Sequence, residues 1–173
     1  MCIRDSWGPI DALEADTKAD FEKYNALLTK EALSGANPSH GRAIFNRTCN
    51  ACHKLYGEGG NVGPDITGAS RSNLEYLLGN ILTPSAVIQD AYKMTLILTD
   101  EGRTYSGIVA GETDRQLQLK VAGEEQPVLI EKSSIESREI APISLMPVGQ
   151  FRNLKDQEAV SYTHLTLPTI CSV

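Results

Sequence analysis

Little in this chain points to a large charged partner. Lysine and arginine number 16 against 22 aspartates and glutamates, a formal net charge of −6, and no basic cluster interrupts that balance. This excludes the electrostatic footprint of a nucleic-acid surface. Long hydrophobic runs are missing too: no apolar stretch approaches the ~20 residues that a membrane-spanning helix needs, and no leader with a charged start and apolar middle is visible. Cysteine is scarce. Of four, Cys2 and Cys171 sit at the extreme ends without a partner at useful spacing. At 173 residues and 41% hydrophobic content, the chain can hold one modest domain, or a small domain with an insertion.

What is present is concentrated in one segment. Cys49-Asn50-Ala51-Cys52-His53 sets two thiols on one edge of a helical turn, with an imidazole directly after the second. Both sulfurs can add to the two vinyl groups of one haem, and the histidine is then held against the iron as an axial ligand; C-x-x-C-H is the attachment signature of c-type haem. Two other chemistries use paired cysteines. A structural zinc site needs four ligands, commonly from two such pairs, and the chain has no second pair. A thioredoxin-like dithiol follows a strand and opens a long helix, whereas the residues before Cys49 read as helix and no parallel-sheet pattern follows. One covalent haem c is the reading these residues favour, with zinc and dithiol chemistry as the alternatives. Maturation of such a protein implies export, so a periplasmic or otherwise extracytoplasmic location is expected.

The ends carry no continuing pattern. Residues 1–6 are expected to be a non-native leader. Residues 161–173, rich in β-branched side chains and broken by Pro168, are expected to be a non-native tail, which includes His164 and Cys171. Both strings resemble translated adapter sequence. From Asp11 to Leu33 the pattern is helical, with Phe21, Tyr24, Leu27 and Leu28 in a rough apolar stripe. Residues 7–36 are expected to be a helical linker or the end of an upstream region. A helix starts at Asn37-Pro38, a good cap followed by a residue suited to the first helical position. A glycine-rich loop follows the cysteine motif, and such a loop wraps closely around a flat cofactor; no P-loop lysine follows it. Arg71 is a candidate partner for a haem propionate. Ser72–Leu82 reads as helix, and Thr83-Pro84-Ser85-Ala86 breaks it, with a further helical turn expected through Ile88.

From Tyr92 the period changes to two. Runs at Thr95–Thr99, Tyr105–Val109, Leu117–Val121, Val128–Ile130 and Ile135–Ile140 read as five short strands with tight turns. They suggest a small antiparallel barrel or curled sheet, Sm-like in topology, inserted over about 92–140. It is expected to cap one haem edge or dock a partner domain. Helix is expected again from Phe151.

Iron with one histidine leaves its second face to be decided. An open face allows oxygen or peroxide chemistry; a thioether fills it and raises the potential. Met1 lies in the suspect terminus, and Met94, at a strand start, reads as core filling. Met146 precedes Pro147, whose ring fixes the backbone, and it is the favoured ligand. His40 is the competitor, but it sits near a helix start.

The run Gly41-Arg42-Ala43-Ile44-Phe45, the C-x-x-C-H motif, Gly63-Pro64-Asp65-Ile66-Thr67-Gly68, Ile81–Ala86 and Ser144-Leu145-Met146-Pro147-Val148-Gly149 together resemble the planctomycete-type haem-binding domain. That is a cytochrome c variant with a β insertion before its methionine loop, here spanning about residues 37–160. The resemblance implies a mainly α, cytochrome c-like fold, α+β overall with the insertion. It implies that the Pro64 carbonyl accepts from His53, that Met146 is the distal ligand, and that Gly41 and Phe45 face the C-terminal helix. It also implies an electron-transfer module, not an enzyme by itself, serving a redox partner or an upstream dehydrogenase domain within a larger exported protein. A haem peroxidase or gas-binding domain with an open distal face, and a zinc-binding or protein-interaction module, are the alternatives.

Overall fold

The computed structural model describes residues 10–68 and 73–167. Met1, Cys2, Arg71 and Cys171 lie outside these residues. Five helices and two antiparallel sheets make an α+β molecule with two separate apolar cores.

The predicted first helix is two. Helix α1 spans Ile10–Leu27 and α2 spans Lys30–Ser34. The break falls where the Thr29 side chain accepts from the Ala32 N–H and starts a new helix. Tyr24 of α1, and Leu28 between the two helices, are buried in the core that Leu55 and Cys49 also join. Helix α3, Pro38–Thr48, begins at Asn37, whose side-chain oxygen accepts from the Ser39 and His40 N–H groups. Helix α4, Leu74–Leu82, is capped by Asn73 and buries Leu78, Ile81 and Leu82. No helix forms from Thr83 to Ile88; a single 3-10 turn, Asp90–Tyr92, leads into the sheet instead. Pro84 accounts for the end of α4 at Leu82, since it disfavours helix at the residue before it and supplies no N–H.

Helix α5 corrects the sequence reading at both ends. It starts at Asp156, after a 3-10 turn at Phe151–Asn153, and it runs to Thr166, beyond Val160. Glu158 accepts from the Lys155 backbone N–H and pairs with Arg47 of α3 at 2.7 Å. Within 161–166, Ser161 and Leu165 meet α3 at Gly41, and Ser161, Tyr162, Thr163 and Thr166 are buried. Gly41 makes the crossing possible: a Cβ at that position would collide with the Ser161 carbonyl oxygen and lie 2.9 Å from the Leu165 Cβ.

Within the glycine-rich loop a short hairpin pairs β1, Lys54–Leu55, with β2, Glu58–Gly59. The larger sheet contains β3 (Met94–Thr99), β4 (Thr104–Glu112), β5 (Gln116–Lys120), β6 (Val128–Glu131) and β7 (Ile135–Ile140). Their order is β6-β5-β4-β3-β7, a meander whose last strand returns beside the first. The barrel expected as one option does not close, because β6 and β7 form the two open edges. Register shifts between Leu98 and Thr99 and between Val109 and Gly111 mark irregularities of the kind that bend strands. The sheet has its own small core of Ile97, Leu117, Leu119 and Ile130. Glu112 on β4 pairs with Lys132 at 2.6 Å and with Arg138 of β7 at 3.0 Å, spanning β3 between them.

Candidate haem site

The end of α3 winds directly into the site. The Cys49 N–H bonds the Phe45 carbonyl at 2.9 Å, and the Cys52 and His53 N–H groups both bond the Cys49 carbonyl, at 3.1 and 2.9 Å. One further turn therefore carries both thiols and the imidazole. The glycine-rich loop folds back onto this turn through bonds from Gly60 N–H to the Asn50 carbonyl (2.7 Å) and from Gly63 N–H to the Cys52 carbonyl (2.8 Å). Gly63 lies flat against the imidazole: a Cβ there would be 2.6 Å from His53 Cε1. Immediately after it, the Pro64 carbonyl lies 3.0 Å from His53 Nδ1. A carbonyl only accepts, so neutral His53 carries its proton on Nδ1 and leaves Nε2 with a free lone pair. That is the second-sphere arrangement by which proteins orient a metal-binding histidine.

Met146 comes to the same place from the other end of the chain. The loop holding it is pinned by side-chain hydroxyls: the Ser144 N–H donates to Ser85 Oγ at 3.0 Å, and the Met146 N–H donates to Ser144 Oγ at 3.1 Å. Cys49, Cys52, His53, Pro64 and Met146 all line one cavity of about 460 Å³, within the range of cofactor sites. Leu77, Ile81, Pro84, Ile88 and Leu145 make much of the wall apolar, and Tyr76, Asn80, Gln89 and Gln150 add neutral polar groups. The β insertion reaches it through Tyr92, just ahead of β3, and Ile108 of β4. Met94 is buried in β3 and is not among the lining residues; neither are His40 and His164.

The electrostatics favour a weakly charged occupant wall. Asp65 is the one carboxylate in the described lining, held below its ordinary value by hydrogen bonds from the Thr67 side chain and backbone. Burial, with a smaller contribution from Cys49, pushes the Cys52 thiol up. Burial also raises the Tyr162 hydroxyl, which lies 3.7 Å from Cys49 Sγ. Among the described residues, no group of three or more histidine, cysteine, aspartate or glutamate side chains converges on one ion position. Cys49, Cys52 and His53 instead follow one another on a single turn that borders the cavity.

Two thiols and an oriented imidazole on one helical turn, opening on a cavity with a largely apolar wall, make a donor set that fits a haem group. The cytochrome c family model matches residues 38–161, and the chain belongs to that family. It is a haem-binding electron-transfer domain, and haem c is the cofactor that membership implies. Domains of this family pass electrons to redox partners and are typically extracytoplasmic. No curated protein matches the chain. No helix among the described residues is long and apolar enough to cross a membrane.

The sequence did not point to Ser85, Tyr92, Ile108 or Gln150 as site residues. Ser85 lies three residues past the end of α4 and accepts from a backbone N–H 59 residues on, a contact without a local signal.

Proposed function

We propose that the domain is a single-haem electron carrier in which Cys49 and Cys52 form the thioether links, His53 is the proximal ligand and Met146 the distal one. The observation that carries this reading is the meeting of all four on one cavity, with His53 Nδ1 occupied by Pro64 and Nε2 left free. Haem supplies reversible one-electron chemistry when bound, and no acid–base group is required of the protein. The chain's own residues attach the group, fix the imidazole, exclude water with apolar walls and hold a thioether ready. The domain so read is of the planctomycete type. It acts as a module of a larger exported redox protein, passing electrons to a partner or from an upstream dehydrogenase domain rather than catalysing a reaction itself. Residues 161–173 are taken as foreign sequence standing in for the natural end of α5.

The test is a redox titration and carbon monoxide binding of the holoprotein, matured with haem-attachment machinery. Reversible cycling and slow carbon monoxide binding are expected. Pigment released by acidified organic solvent would refute thioether attachment, and rapid binding in the wild type would refute Met146 ligation in favour of an open gas-binding or peroxidase site.

A further inference from the structure

Helices α1 and α2 lie outside the region matched by the family model, yet α1 grips the far side of the methionine loop. Arg152, six residues after Met146, donates from Nε to Asp20 at 2.6 Å and lies 3.6 Å from Asp16. Beside it Tyr24 packs edge-on against Phe151, ring centroids 5.1 Å apart, with both rings buried. Phe151 in turn shares with Met146 the lining of a small gap of about 10 Å³ that Cys49 also borders, so the two side chains are close neighbours. A second ion pair, Lys23 to Asp156 at 2.9 Å, fixes α1 to the start of α5.

We propose that α1 is a brace for the distal ligand: Asp16, Asp20 and Tyr24 hold Arg152 and Phe151, and through them position Met146. The inference rests on the proposed Met146 ligation. The loop between Ala141 and Phe151 has no regular secondary structure, so its hold on a ligand depends on its anchors. Ser85 and Ser144 secure one side of it, and α1 secures the other. The three residues are positioning residues, acting from behind the loop without touching the cavity.

The experiment compares carbon monoxide association rate in the ferrous holoproteins, the methionine-to-iron charge-transfer band in the ferric ones, and amide hydrogen exchange over residues 144–150. In Arg152→Asp, repulsion replaces the clamp, and loss of one partly exposed ion network with its packing predicts association about tenfold faster. The band should weaken and exchange should quicken. The swap Arg152→Asp with Asp20→Arg restores the opposite charges and should return all three readouts toward wild type. Should Arg152→Asp fail to fold, Asp16→Asn with Asp20→Asn removes the clamp without repulsion, and it should show the same direction. A folded variant with wild-type rate, band and exchange overturns the brace. Rapid carbon monoxide binding in the wild type instead overturns the ligation itself, and the brace with it.

Discussion

Single atoms decide much of this site. Gly63 has no room for a methyl group beside the His53 ring, so Gly63→Ala is expected to displace the imidazole, at a cost of about 1–3 kcal/mol from overpacking. Haem yield and denaturant unfolding of the holoprotein measure it. Replacing Met146 with alanine should leave the thioether links intact, lower the midpoint potential and speed carbon monoxide binding, because the thioether that raises the potential is gone. Tyr24 offers a contrasting case: its hydroxyl is buried without a hydrogen-bond partner among the described residues. Tyr24→Phe keeps the ring against Phe151 and should be neutral or stabilising by about 1 kcal/mol in urea titration. At this scale the sequence singled out Cys49, Cys52, His53 and Met146, which are few and locally patterned, and all four line one cavity. Ile108 and Tyr92 read as ordinary strand and turn residues, because their place on the cavity depends on a long-range docking of the sheet.

Among the elements, α3 and α5 form the frame on which the motif hangs. Asn37 satisfies two backbone N–H groups at the start of α3, and Asn37→Ala should cost about 1 kcal/mol of global stability in chemical denaturation. Glu158 joins the two helices. Its carboxylate is held below the ordinary range by the Lys155 backbone N–H first and by Arg47 second. The start of α3 was legible because capping is a local signal, seen in Asn37. Helix ends and breaks were less so. Thr29 divides what reads as one amphipathic stripe, and α5 passes through β-branched residues that alone favour strand. There, packing against Gly41 overrides propensity, as tertiary contacts commonly do. Strand positions followed from their period of two, and of the two options, barrel or curled sheet, only the barrel is ruled out, by the open edges β6 and β7.

For the molecule as a whole, acid is the informative stress. Glu158, Glu112 and Asp65 all have folded-state values lowered by hydrogen bonds or cationic partners. A lowered value means that the folded protein binds protons less readily than the unfolded chain. Their contribution is therefore present above the ordinary carboxylate value of about 4.3 and lost as pH falls through the folded values. Thermal stability should be flat toward neutrality and decline below about pH 4, and raised salt at neutral pH should narrow the difference by screening the exposed pairs. Calorimetry across pH and ionic strength reads both effects.

The two ends of the five-stranded sheet meet. Thr95 pairs with Ile140, and the Ala141 N–H bonds the Met94 carbonyl at 2.8 Å, so entry and exit are neighbours. A segment with such coincident stubs is a cassette: it can be grafted in or cut out with only a short splice, while the helices around the cysteines keep their connections. Excision would not be silent, because Ile108 would go with it and open one margin of the cavity that the cysteines and His53 line.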